Sequence, residues 1–250
     1  MFLGRVFPVL ALLLLLRPAV AADEIARQTL TFDGRERTYH VYAPAASGPT
    51  PMVVLLHGSG SQGAFLAQYW KDTASRNGFV LLAPDSLHPE IGWDLRTDGP
   101  DYIRAVMARV TAAHAIDPRR IYLFGQSGGA VYALELGMLE SEFFAAVAIH
   151  AGAWRHIEEY KAADYAARKI PVSIAVGDQD VYFPLDSVRN TERVLAQHGI
   201  PIDVTILKNG LHAYSNVPPD FADTTWGFLG RHALESDPKY ADYAYRPGIR

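Results

Sequence analysis

The chain has 250 residues, a formal net charge of −4 and no cysteine. That length suffices for one α/β domain with a substantial core, and the acidic balance argues against a surface built for nucleic acid or another polyanion. The missing cysteines exclude disulfides, thiolate metal sites, a cysteine nucleophile and a lipidated cysteine together; the nine histidines show no HExxH-like spacing, so neither a metal nor a cofactor is expected.

The first 21 residues read as an export leader. Arg5 supplies a basic start, Val9 through Leu16 an apolar stretch, and Ala19-Val20-Ala21 a small-residue cleavage site. Arg17-Pro18 interrupts the apolar run short of the roughly 20 residues that a membrane-spanning helix needs. The expectation is a signal peptide over 1–21, a periplasmic or secreted mature protein without a stable membrane anchor, and one domain over 22–250. Losing Arg5 and Arg17 leaves 21 basic against 27 acidic residues, a net −6.

Alternation in Gln28-Thr29-Leu30-Thr31-Phe32 and Thr38-Tyr39-His40-Val41-Tyr42, separated by Asp33-Gly34, predicts an N-terminal antiparallel hairpin. Short apolar runs then follow at 52–56, 79–83, 121–124, 145–149, 172–176 and 204–207, as expected of strands buried on both faces. Helical spacing lies between them, in Tyr102-Ile103, Val106-Met107 and Val110, and in Leu185, Val188 and Val194-Leu195 before Gly199. Repeated strand, helix and strand predicts a mostly parallel sheet of about eight strands covered by helices on both faces. Ligands of such sheets bind at the carboxyl ends of the strands.

At one such end stands Gly125-Gln126-Ser127-Gly128-Gly129, between the strand-like Ile121-Tyr122-Leu123-Phe124 and the helix-like Ala130 through Leu136. A strand that turns into a helix within one residue strains the backbone at its apex, and side chains two positions either side would collide. Glycines at 125 and 129 remove those collisions. The turn then presents the Ser127 hydroxyl as a nucleophile, and the amide of Gly128, at the start of the new helix, faces a developing oxyanion.

A serine hydroxyl needs a histidine to take its proton and a carboxylate to orient that histidine, here in the chain order Ser, Asp or Glu, His. His212, in Gly210-Leu211-His212-Ala213-Tyr214 after the last core strand, occupies the base position, whereas His150 follows the strand after the elbow and fits that order poorly. Asp178 and Asp180, after the strand ending at Val176, compete for the carboxylate. The second oxyanion donor is expected from His57-Gly58-Ser59-Gly60-Ser61-Gln62, through the amide of Ser59 or, alternatively, Gly60. Phe65, Tyr69, Trp70, Trp93, Trp154, Tyr182 and Phe183 fall where the mouth of a pocket should be, with Trp93, Trp154 and Tyr182 taken as its substrate-binding wall.

With these pieces the chain resembles the α/β-hydrolase superfamily, and within it the exported esterases grouped with polyhydroxybutyrate depolymerase catalytic domains and feruloyl esterases. The resemblance rests on Leu56-His57-Gly58-Ser59-Gly60, the elbow, the segments from Asp101 to Tyr122 and from Phe143 to Ala148, and Gly177 through Pro184. The last block is similar to the pattern G-x-x-D-x-x-V-P, which implies Asp180 rather than Asp178 as the acid. It also implies hydrolysis of a small-molecule carboxylic ester by way of an acyl-enzyme. Peptidases and thioesterases share this machinery, and a non-catalytic binding protein could share the fold. The elbow departs from the resemblance, reading Gly-Gln-Ser-Gly-Gly where these esterases often carry Ser-Asn-Gly.

Overall fold

The computed structural model describes residues 24–241; the expected leader lies outside the described residues. The chain opens with β1 (Ala26–Phe32) and β2 (Arg35–Tyr42), joined by Asp33 and Gly34 at φ 47° and 73°. Two consecutive left-handed residues match the right-handed twist of a hairpin, and Asp-Gly tolerates them well.

Six further strands follow: β3 (Thr50–Leu56), β4 (Val80–Pro84), β5 (Ile116–Gln126), β6 (Ala146–His150), β7 (Val172–Gly177) and β8 (Ile202–Leu207). They form one sheet in the order β1-β2-β4-β3-β5-β6-β7-β8, antiparallel across β1, β2 and β4 and parallel from β4 to β8. The hairpin and the mostly parallel eight-stranded sheet match the sequence expectation.

Helices α1 (Gly63–Asn77), α2 (Leu95–Asp98), α3 (Pro100–Ala113), α4 (Gly128–Leu139), α5 (Ile157–Tyr160), α6 (Leu185–Gln197) and α7 (Phe221–Leu229) connect and cover the strands. Side chains alternate through the sheet. Met52, Val54 and Leu56 of β3 join the core beneath α3, α4 and α6, while Val53 and Leu55 join the one beneath α1 and α7. Burial on both faces is why β3 reads as an unbroken apolar run. The run at 204–207 is different: β8 is an edge strand in which Ile206 is exposed and Val204 and Leu207 are only half-buried. No helix among the described residues is long and apolar enough to cross a membrane.

The topology positions the site. From β3 the chain passes through α1 to β4 on one side, then returns past β3 to β5 on the other. The loops leaving the carboxyl ends of β3 and β5 therefore diverge, and the crevice between them is where such sheets receive ligands.

Candidate active site

Ser127 is the only residue between β5 and α4 and sits at φ 55°, ψ −120°. A non-glycine residue in that region is strained and persists only where its surroundings enforce it. Here its N–H donates to the His150 carbonyl at the end of β6 (3.0 Å). A Cβ at Gly125 would lie 2.2 Å from the Gly129 carbonyl oxygen, and one at Gly129 would lie 2.1 Å from that of Leu56. Both glycines are thus demanded by backbone packing, as their spacing predicts.

The Ser127 hydroxyl lies 2.8 Å from His212 Nε2, and His212 Nδ1 lies 2.9 Å from Asp180 Oδ2. Asp180 is buried, and its other oxygen accepts the amides of Tyr182 and Phe183, both at 2.9 Å. Asp178 is exposed to solvent. The two loops are zipped together: Asp178 N–H donates to the Leu207 carbonyl (3.1 Å) and Gln179 N–H to that of Gly210 (3.0 Å). Contact this close needs glycine, since a Cβ at Gly177 would lie 2.1 Å from the Gly210 oxygen. Because a carboxylate can only accept, Nδ1 carries the proton and Nε2 is free to take one from Ser127.

Across the crevice, Ser59 meets the elbow. A Cβ on Gly128 would lie 2.6 Å from Ser59 Oγ and 3.5 Å from Ser59 N. The Gly60 amide is engaged elsewhere, donating to the Pro89 carbonyl (2.7 Å), while Ser59 N lies on the side that faces Gly128.

The expected aromatic wall is only partly realised. Trp154 is fully buried, packed in the core with Tyr160, so it does not line a mouth. The loop after β6 turns inward because Trp154 N–H donates to Thr191 Oγ1 of α6 (2.9 Å) and its carbonyl accepts from Tyr160 (2.9 Å). Trp70 is likewise buried, donating its indole N–H to the Tyr214 hydroxyl (2.9 Å). Trp93 is half-buried, with its indole N–H on the His57 carbonyl (2.8 Å). Of the three residues assigned to the wall, Tyr182 remains open, 62% exposed with its ring 4.7 Å from that of His212, and Phe65 and Tyr69 of α1 are exposed as well.

His150 is fully buried, with both ring nitrogens unpartnered and its ring against Tyr214 and Phe221. Burial, with a smaller push from nearby His212, lowers its pKa to about 4 against a weaker opposing effect of Asp180, so the ring is neutral near pH 7. Its carbonyl, rather than its imidazole, serves the elbow.

His57 and Asp98 were not singled out as site residues by the sequence. His57 is buried and neutral, its pKa lowered chiefly by burial, with Nδ1–H donating to the Gly58 carbonyl (2.8 Å) and Nε2 accepting the Ser86 amide (3.1 Å). Asp98 forms a buried ion pair with Arg37. Asp98 carries no spacing signal that would have found it, and His57 stands in the motif of the oxyanion loop only as the residue before Gly58.

A model of the dienelactone hydrolase family matches residues 37–226. NocK of Nocardia uniformis subsp. tsuyamanensis is 30% identical over 188 residues, 69% of this chain and 53% of that protein. A poly(3-hydroxybutyrate) depolymerase of Ralstonia pickettii is 27% identical over 147 residues, 48% of this chain and 30% of the depolymerase. The chain thus matches about half the length of the first of these relatives and less of the second. A solved ferulic acid esterase shares the fold, with a TM-score of 0.65 at 15% identity, covering 83% of this chain and 98% of its own. With a family model covering most of the sequence, and the elbow and its partners carried at the strand ends of the matching fold, the chain belongs to the dienelactone hydrolase family.

Proposed function

We propose that this chain is an exported serine hydrolase that cleaves a small-molecule carboxylic ester through an acyl-enzyme. The supporting observation is the hydrogen-bonded series Ser127 Oγ, His212 Nε2, His212 Nδ1, Asp180 Oδ2, with steps of 2.8 and 2.9 Å. Family membership and a relative named for a polyester point to the same bond type.

In this reading Ser127 Oγ attacks the ester carbonyl carbon as His212 Nε2 takes its proton. Asp180 holds the Nδ1–H tautomer and stabilises the imidazolium. The carbonyl oxygen becomes an oxyanion received by the amides of Ser59 and Gly128, the latter at the positive end of α4. Collapse breaks the bond to the alcohol oxygen, which leaves with the proton from His212. Water then attacks the acyl-enzyme with His212 again as base, releasing the acid and restoring Ser127.

The direct test is Ser127→Ala, expected to abolish hydrolysis of a short-chain p-nitrophenyl ester and labelling by a fluorophosphonate. Turnover that survives the substitution removes Ser127 from the reaction. Acetyl, butyryl, feruloyl and 3-hydroxybutyryl esters tested in parallel define the acyl group. Export rests on the leader pattern of residues 1–21, and N-terminal sequencing of mature material that begins at Met1 overturns it.

A further inference from the structure

The outer half of the loop that supplies the second oxyanion donor has little packing of its own. His57 and Gly58 are buried, a Cβ at Gly58 lying 2.4 Å from Gln126 Oε1, but Ser59 and Gly60 are exposed. Yet an oxyanion donor is effective only when held within a few tenths of an ångström of the position the charge will occupy.

The segment after β4 holds this loop at three points. Trp93 Nε1–H donates to the His57 carbonyl (2.8 Å), Ser59 Oγ–H to the Ile91 carbonyl (3.1 Å), and Gly60 N–H to the Pro89 carbonyl (2.7 Å). At its base, Ser86 N–H donates to His57 Nε2 (3.1 Å). The segment is itself clasped. Leu87 N–H donates to Asp98 Oδ1 (2.8 Å) and Asp94 N–H to Asp98 Oδ2 (3.1 Å), so one buried carboxylate grips both ends. Between them the Ile91 and Gly92 amides both donate to the His88 carbonyl, at 3.0 Å each, closing a tight turn. Gly92 sits at φ 101°, where a Cβ would lie 2.5 Å from Ser59 Oγ. Asp98 is fixed by Arg37 of β2, and the Tyr132 hydroxyl of α4 donates to the Asp98 carbonyl while its ring stacks on Trp93 (4.9 Å).

We infer that residues 87–94 form a strap that sets the oxyanion loop against the elbow, with Trp93 as its positioning residue rather than part of a substrate wall. The inference rests on the serine hydrolase reading. The strap ties the Ser59 donor to α4, the helix that carries the Gly128 donor, so both halves of the oxyanion site share one rigid support. Asp98 supports the strap from beneath: each of its oxygens accepts one strap amide, and Oδ1 also accepts from Arg37.

Trp93→Phe tests this, because it keeps a ring against Tyr132 while deleting the donor to His57 along with one ring of the indole. The readouts are kcat and KM for a p-nitrophenyl ester, the inhibition constant of a trifluoromethyl ketone, whose hemiketal carries an oxyanion, and the rate of fluorophosphonate labelling at Ser127. The expected result is a kcat lower by about tenfold or more with KM within about twofold, and a parallel loss of ketone affinity and labelling rate. Unchanged kcat overturns the strap, as does a raised KM with kcat intact, the signature of a substrate wall. If Trp93→Phe does not fold, Ser59→Ala removes the hydroxyl bond to Ile91 and keeps the amide. It should show the same kcat-only loss, and wild-type kcat in it overturns the strap equally. Failure of the hydrolase reading looks different: the wild-type protein itself then goes unlabelled at Ser127, and the strap falls with it.

Discussion

Asp180 and Asp178 lie two residues apart on one loop, yet only Asp180 meets His212, with Oδ2 2.9 Å from Nδ1, while Asp178 faces solvent. The difference is geometric. The Asp178 and Gln179 amides pair with the loop after β8, and the next side chain is turned inward beneath the imidazole.

Asp180→Asn should therefore lower kcat by about 10⁴-fold, because an amide at that position favours the wrong imidazole tautomer. Asp178→Asn should leave kcat within about threefold. Steady-state kinetics on both variants check the pair, and the reverse ranking reassigns the acid.

Gly129 carries a packing requirement that no side chain satisfies. With the Leu56 and His57 carbonyl oxygens 2.1 and 2.5 Å from a Cβ there, Gly129→Ala must push the elbow away from β3. The expected cost is about 3 kcal/mol, a fall in Tm of roughly 6–12 °C, with activity lost along with it. A thermal melt within two degrees of wild type contradicts the packing account.

His150 makes stability depend on pH on the acid side. Its folded pKa is about 4, pushed down by burial and by nearby His212 against a weaker lift from Asp180. Between about pH 4 and the unfolded value near 6.5 the unfolded chain binds more protons than the folded one. Stability therefore falls as pH drops through that window, by up to about 3 kcal/mol from this group. His150→Phe removes the titration, and denaturant unfolding from pH 4 to 7 should show a shallower acid slope in the variant. An unchanged slope assigns the acid sensitivity to other groups.

Glu135 on α4 acts with the opposite sign. Burial first, then the like charges of Glu159 and Asp94, raise its pKa to about 8. Between about pH 4.5 and 8 the folded state holds the extra proton, so stability declines as pH rises. Glu135 retains some exposure, which reduces the effect below the full shift, to on the order of 2 kcal/mol. Glu135→Gln should gain stability relative to wild type at pH 8 but not at pH 5, measured by urea unfolding at both.

Much of the fold was legible because its signals are local. The hairpin was written in Asp33-Gly34 and flanking alternation, and β3 to β7 in apolar runs that follow from burial on two faces. Other elements were less legible for physical reasons. The start of β5 at Ile116 is set by a single pairing with Thr50 across a bulge, which leaves no periodicity in Asp117-Pro118-Arg119-Arg120. Short α2 and α5 are single turns with no periodicity to read: Asp98 of α2 is held by distant Arg37, while α5 buries no residue and is capped locally by His156 and Glu159. Trp154 and Trp70 looked like pocket residues because an aromatic reads the same at a mouth or in a core, and burial is decided by the elements that fold over it.

Sequence alone determined what had to be local: a strained serine between a strand-end glycine and a helix-start glycine, a histidine after the last strand, and the order of elements that brings strand ends to one edge. Spacing alone left two aspartates for the histidine; only the resemblance favoured Asp180. Only the tertiary structure decided which aspartate lies against the histidine, which aromatics stay open, and what holds the loop opposite Ser127. Those choices depend on hydrogen bonds between segments 30 to 100 residues apart, such as Asp180 with His212 and Arg37 with Asp98, and such pairings leave no periodic trace in the chain.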